Sequence, residues 1–221
     1  SAHILRALKM AQDAGYPVEL NLNGLKVEYA HTRPYRGMKL EDIEILHALH
    51  EWKVEADYSS AVRLLEPFVR QLEQKEDSLA NRNKYYRPLS YLKEKLLLWE
   101  IKQQVDSVNV GDSVRPYLKK DMLEGVYCDD GRRTYYWEGN QMINTLIAYR
   151  IIKNDPSLCK LKENMQLYIL RTKERGWNTY QASSAVATVL TDLLAGSGGM
   201  SGTSVFVSGK DHQRITEFPY H

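Results

Sequence analysis

Cysteine is nearly absent from this 221-residue chain: Cys128 and Cys159 are its only two. That is too few for the disulfide framework of small secreted folds. One falls in an expected loop and one in an expected helix, so two free buried thiols are expected, with a single bridge as the alternative. Phenylalanine is scarce too, three residues against fifteen tyrosines. Tyrosine contributes apolar area while staying partly wet, which suits an interaction surface, an extracytoplasmic protein, or simply the ends of helices. No apolar run approaches the roughly 20 residues of a membrane span. No basic flank and apolar stretch precede the first helical pattern, so a signal peptide is not read at Ser1. Charge of one sign is missing as well: the formal net charge is +2, so no global field points to nucleic acid or an acidic membrane. Gly196 to Gly202 is glycine-rich, but it lacks the following helix and Lys-Ser/Thr pair of a phosphate loop and reads as a linker.

What is present is a repeat. Trp137-Glu138-Gly139-Asn140-Gln141 opens the apolar run Met142 to Ala148, and forty positions later Trp177-Asn178-Thr179-Tyr180-Gln181 opens Ala182 to Val189. A second helix fits between the copies, making each unit a helix pair. Stacked pairs are how solenoids and α/α toroids bury a core that no single unit could bury.

The remaining pattern is also mainly helical. A first helix is expected over 2–14, with Ile4, Leu8 and Ala11 on one stripe and Gly15 ending it. A hairpin or extended loop follows around Asn23-Gly24, then a helix from Leu40 to Val54 with Ile43, Leu46 and Leu49/His50 on one face. Asp57 can cap a helix whose seam is Tyr58, Ala61, Val62, Leu65, Phe68, Val69 and Leu72, with Pro67 inside it. Asp77 to Lys84 reads as a loop, Tyr86 to Val105 as a long helix, and Val108 to Lys120 as a shorter helical piece. Leu123 to Trp137 reads as extended segments about a turn at Asp129-Asp130-Gly131. Helices then cover Asn140 to Lys153, Pro156 to Arg171 behind an Asp155 cap, and Thr179 to Ala195. Strand-like segments flank Ser208 to Asp211. Inner helices beginning near 2, 40, 86, 140 and 179, with outer ones near 57, 112 and 157, would make an incomplete α/α toroid over 1–195. A linker over 196–204 and the start of a β-sandwich or a terminal hairpin over 205–221 complete the expected domains.

Few residues suggest chemistry. His47 and His50 are spaced i, i+3 with Glu51 outside the pair, unlike the i, i+4 pair of a zinc helix, so histidines of an amphipathic helix are expected and no metal. Asp129, Asp130 and Glu138 could supply the carboxylates of a carbohydrate-active α/α-barrel enzyme, which needs two such groups across a cleft. An ordinary charged turn beside Arg132-Arg133 is the competing reading. Neither cysteine has the histidine or cationic neighbour that a nucleophilic thiol needs. Trp137 and Trp177 could stack on bases or sugars, but their matched placement favours packing between units, with Gln141 and Gln181 as equivalent partners.

Leu167 to Leu190, in which Lys173, Trp177 and Thr179 lead into an alanine-rich helix, resembles the last helix pair of the thioester-domain toroid in bacterial α2-macroglobulin-like proteins. Tyr136-Trp137-Glu138-Gly139 and its helix are similar to the preceding unit, and Val205 to Lys210 resembles the opening strand of the macroglobulin-type β-sandwich. The likeness runs from about residue 123 to 211, and the toroid style is shared with terpene cyclases and prenyltransferase subunits. The thioester motif Cys-Gly-Glu-Gln is absent: Cys128 precedes Asp129-Asp130-Gly131, and Cys159 precedes Lys160-Leu161-Lys162. The resemblance implies an excised piece of a larger bacterial protein of the periplasm or cell surface. It would be non-catalytic, without cofactor, and would act in endopeptidase inhibition through contacts with proteases and with neighbouring macroglobulin-like domains.

Overall fold

A computed structural model of the chain describes residues 2–13, 15–21, 37–134, 141–173, 179–196, 205–207 and 213–215. The chain is mainly helical. Helix α1 (Ala2–Asp13) leaves through Gly15, whose φ of +89° costs a residue without Cβ little. Its buried face is Ala2, Leu5 and Arg6 rather than the expected stripe, and Ile4 is 61% exposed. The cause lies in α2 (Leu40–Glu51) and the residues after it. Ala48, Leu49, Trp52 and Val54 form a small core with Ala2 and Leu5, and Trp52 Nε1 donates to the Leu5 carbonyl at 2.8 Å. The Asn23-Gly24 turn lies outside the described residues.

Helix α3 (Tyr58–Arg82) starts where the Ser60 amide donates to Asp57 Oδ1 at 3.0 Å, and buries Tyr58, Val62, Leu65 and Val69 as its seam predicts. It keeps Pro67 within it and continues through the expected loop at 77–84 as far as Arg82. Long-range ties explain this: buried Glu76 accepts from the Tyr86 hydroxyl and the Leu89 amide, each at 2.8 Å, and Arg132 pairs with Asp77 at 2.9 Å. The same ties delay α4, which runs Leu92–Asp106 and does not begin at Tyr86. Residues 88–90 are extended instead: the Ser90 amide donates to the Arg133 carbonyl at 2.7 Å and the Arg133 amide to the Pro88 carbonyl at 3.1 Å.

The expected helix at 108–120 shrinks to α5 (Gly111–Val114) and a 3-10 turn (Arg115–Tyr117) before strand β1 (Leu118–Lys120). Strand β2 (Val126–Cys128) pairs antiparallel to it, Leu118 opposite Cys128. The hairpin therefore turns at 121–125, upstream of Asp129-Asp130-Gly131. Asp121 Oδ1 fixes it there by accepting from the amides of Leu123 (2.9 Å) and Gly125 (2.8 Å). Helix α6 (Gln141–Ile152) and helix α7 (Cys159–Thr172) follow, the latter behind a 3-10 turn whose Ser157 amide donates to the Asp155 cap at 2.9 Å. Helix α8 (Thr179–Ala185) widens into a π turn over Val186–Leu190 and resumes as α9 (Thr191–Gly196). Strands β3 (Val205–Val207) and β4 (Gln213–Ile215) pair antiparallel.

Helices α1, α2, α4, α6 and α8 pack as neighbours in that order. Helix α3 lies on α4 and α2, while α7 and β2 lie on α6. Leu96, Leu97, Ile101, Leu146, Tyr149 and Ile151 fill the main core between them. Both cysteines are free, but only Cys128 is buried; Cys159 is exposed on the first turn of α7, against the expectation of two buried thiols.

Candidate functional site

The most heavily charged buried region lies where α1, α2, α4 and α6 meet. Its centre is Glu100 of α4, 5% exposed. Arg150 of α6 grips it with both faces of its fork, Nε to Oε1 at 2.6 Å and Nη2 to Oε2 at 2.8 Å. His47 of α2 approaches from the other side, Nε2 to Glu100 Oε2 at 2.8 Å. The second histidine nitrogen faces Glu51 Oε2 at 3.6 Å, and Arg6 Nε of α1 is 3.6 Å from that same oxygen. Beside this chain of ions, Lys93 of α4 pairs with Glu44 of α2, which His3 approaches at 3.9 Å.

Burial alone would drive these charges out. It pushes Glu100 upward, but the Arg150 guanidinium and then His47 overcome it and hold the carboxyl well below the usual range. Burial likewise pushes His47 down, yet Glu100 and, less strongly, Glu51 raise it above its ordinary 6.5. Glu51 and Glu44 are also held low against their burial, by His47 and by Lys93 respectively. His50 goes the other way, lowered by burial and by the His47 charge, and sits edge-on to the Tyr58 ring at 4.9 Å. Glu100 and Glu51 thus favour the protonated form of His47 against its burial, and the ring ties α2 to α4 rather than standing as an available base. Among the described residues, no group of three or more His, Cys, Asp or Glu side chains is placed to hold a metal ion.

A cavity of about 280 Å³ adjoins the network. Arg6, Lys9, Met10 and Asp13 of α1 form one wall, Glu51, Lys93 and Leu97 a second, and Ile143, Leu146, Ile147 and Arg150 of α6 a third. Ser184 of α8 and Thr188 of the π turn complete the lining. A groove of about 290 Å³ between α3 and α4 is lined by surface ion pairs instead, Lys102 with Glu66 (2.9 Å) and Lys95 with Glu73 (3.1 Å).

The residues singled out in the sequence fall elsewhere. Trp137, Glu138 and Trp177 lie outside the described residues. Gln141 opens α6 and accepts from the Tyr168 hydroxyl at 3.0 Å, while Gln181 is half-buried in the first turn of α8. Asp129 Oδ1 accepts from the Gly131 amide at 3.0 Å and its Oδ2 from Lys119 at 3.3 Å. Asp130 accepts from the Arg132 amide at 3.1 Å and the Ser90 hydroxyl at 2.7 Å. Both carboxylates therefore shape their own turn. The Cys128 thiol is pushed up to about 12 by burial and by those two aspartates, which is the reverse of nucleophile activation.

Sequence reasoning missed Arg6, Glu100 and Arg150. A signal existed for Arg150: it is the one charged residue of α6, set among Ile147, Ile151 and Ile152. Comparison with family models, curated proteins and solved structures finds no match to this chain.

Proposed function

We propose that this chain is the helical, non-catalytic part of an α2-macroglobulin-like protein, acting through protein contacts and physical entrapment of proteases. The observation that carries the reading is the packing order. Neighbouring α1, α2, α4, α6 and α8, with α3 and α7 laid on that row, are what an arc of an α/α toroid built from helix pairs would give. The change to an antiparallel strand pair after the Gly/Ser segment is consistent with an adjoining β-domain. His47, Glu100 and Arg150 are committed to joining helices, and the aspartates of the carbohydrate-enzyme alternative to their turn, which supports a role without chemistry at these groups. The partners are proteases and macroglobulin-like domains of the same larger chain, at the surface or in the periplasm of a bacterium.

Entrapment hides a protease from large substrates by steric exclusion while leaving its active site open. Expressed with the coding sequence on both sides, the protein should slow cleavage of casein by a general protease and leave cleavage of a small chromogenic peptide near its free rate. Equal inhibition of both substrates, or of neither, removes the reading. Flanking sequence without macroglobulin-like domains removes it as well.

A further inference from the structure

Arg6 is 6% exposed, yet among the described residues its guanidinium has two contacts only, both long: Nη2 to His47 Nδ1 at 3.4 Å and Nε to Glu51 Oε2 at 3.6 Å. A guanidinium carries five donors in a planar fork, and charged partners normally meet them at about 2.7–2.9 Å. The Glu51 oxygen is shared, since His47 Nδ1 also stands 3.6 Å from it. Arg150 and Lys93, on the same cavity, are matched by Glu100 and Glu44, and Lys9 by Asp13. Arg6 thus shares the Glu51 charge at long range and keeps donor positions open on the wall of a cavity, where an anion could complete its fork.

The rest of the cavity agrees with that need. Ser184 and Thr188, 8% and 6% exposed and each bearing a hydroxyl group, line it. The π turn that places Thr188 there is a distortion often kept at functional sites. Leu97, Leu146 and Ile147 add an apolar stretch, while Lys9, Asp13, Glu51, Lys93 and Arg150 keep the rest of the lining charged. The volume of about 280 Å³ lies at the lower edge of the roughly 300–1,000 Å³ typical of small-molecule sites.

We propose that this cavity binds a monocarboxylate with a short aliphatic tail. Its carboxylate takes the Arg6 fork and the hydroxyls of Ser184 and Thr188, and its tail lies against Leu97, Leu146 and Ile147. The Glu51 and Asp13 carboxylates on the same lining disfavour a dianion, and an uncharged ligand would leave Arg6 as it is. The carboxylate can come from a free short-chain acid or from the C-terminus of a peptide ending in an aliphatic residue. The inference does not depend on the macroglobulin-like reading.

Calorimetric titration of the 221-residue chain tests it, with sodium butyrate and hexanoate, 1-hexanol as the uncharged match, and N-acetyl-leucine beside its amide. Saturable binding of carboxylates but not of hexanol or the amide is expected. Tighter binding of acetyl-leucine assigns a peptide terminus, and tighter binding of the free acids assigns a small acid. Arg6→Gln should weaken binding by about tenfold or more. Because that variant removes a buried charge and can unfold, Thr188→Val, expected to weaken binding by about threefold, and Met10→Trp, which fills the cavity and should abolish binding, carry the test independently. No saturable carboxylate binding, hexanol equal to hexanoate, or affinity unchanged in Met10→Trp overturns the proposal.

Discussion

Glu100 stays ionised at 5% exposure because Arg150 and His47 flank it. Removing one member of such a buried set leaves an uncompensated charge. Arg150→Met should therefore cost about 3–5 kcal/mol in urea denaturation, and adding Glu100→Met should recover much of that loss. A double variant as unstable as the sum of the singles would contradict the network. The pH dependence has a definite sign. His47 is raised above 6.5 in the folded chain, so its contribution is complete below 6.5 and declines as pH rises through the folded value. Glu100 is depressed, so its contribution is complete above the ordinary 4.5 and declines as pH falls. His50, lowered by burial, favours the fold more as pH rises and opposes the His47 trend in the wild type. The variant comparison isolates His47: His47→Gln should lose more stability at about pH 5.5 than at about pH 8.5. Of this site the sequence analysis singled out His47 with its neighbours His50 and Glu51 and passed over Arg150, a lone charge in an apolar helix; Arg6 stayed hidden because the expected stripe put Ile4 inward, whereas Ile4 is exposed and Arg6 is buried.

Among the elements, those with long apolar periodicity were legible before any coordinates. The seam of α3, the run of α6 and the caps at Asp57 and Asp155 all follow from spacing and side-chain chemistry. The short elements were not, because distant residues set them. Strand β2 is held by the Cys128 amide donating to Thr145 Oγ1 of α6 at 3.0 Å, and the end of α3 by Glu76 reaching across to Tyr86 and Leu89. No local pattern encodes such partners. Thr145→Val keeps the shape and orphans a buried donor, so it should cost about 1–3 kcal/mol. Hydrogen exchange should speed at the Cys128 amide while α3 and α4 keep their protection. Unchanged exchange there would show that the hairpin is held by other means.

Across the whole molecule, stability is divided unequally. The main core joins α2, α3, α4, α6 and α7, whereas α1 rests on a satellite cluster of Ala2, Leu5, Ala48, Leu49, Trp52 and Val54. Small clusters with few long-range ties open before the rest of a fold. Trp52→Phe removes the 2.8 Å bond to the Leu5 carbonyl and should raise amide exchange in α1 severalfold with little change in α4 or α6. Exchange rising equally everywhere would mean that α1 unfolds only with the whole. The helix that rests on this small cluster also supplies Arg6, Lys9, Met10 and Asp13, one entire side of the cavity. A guest lodged in the cavity would therefore clamp α1 onto its neighbours, and loosening of α1 would release the guest.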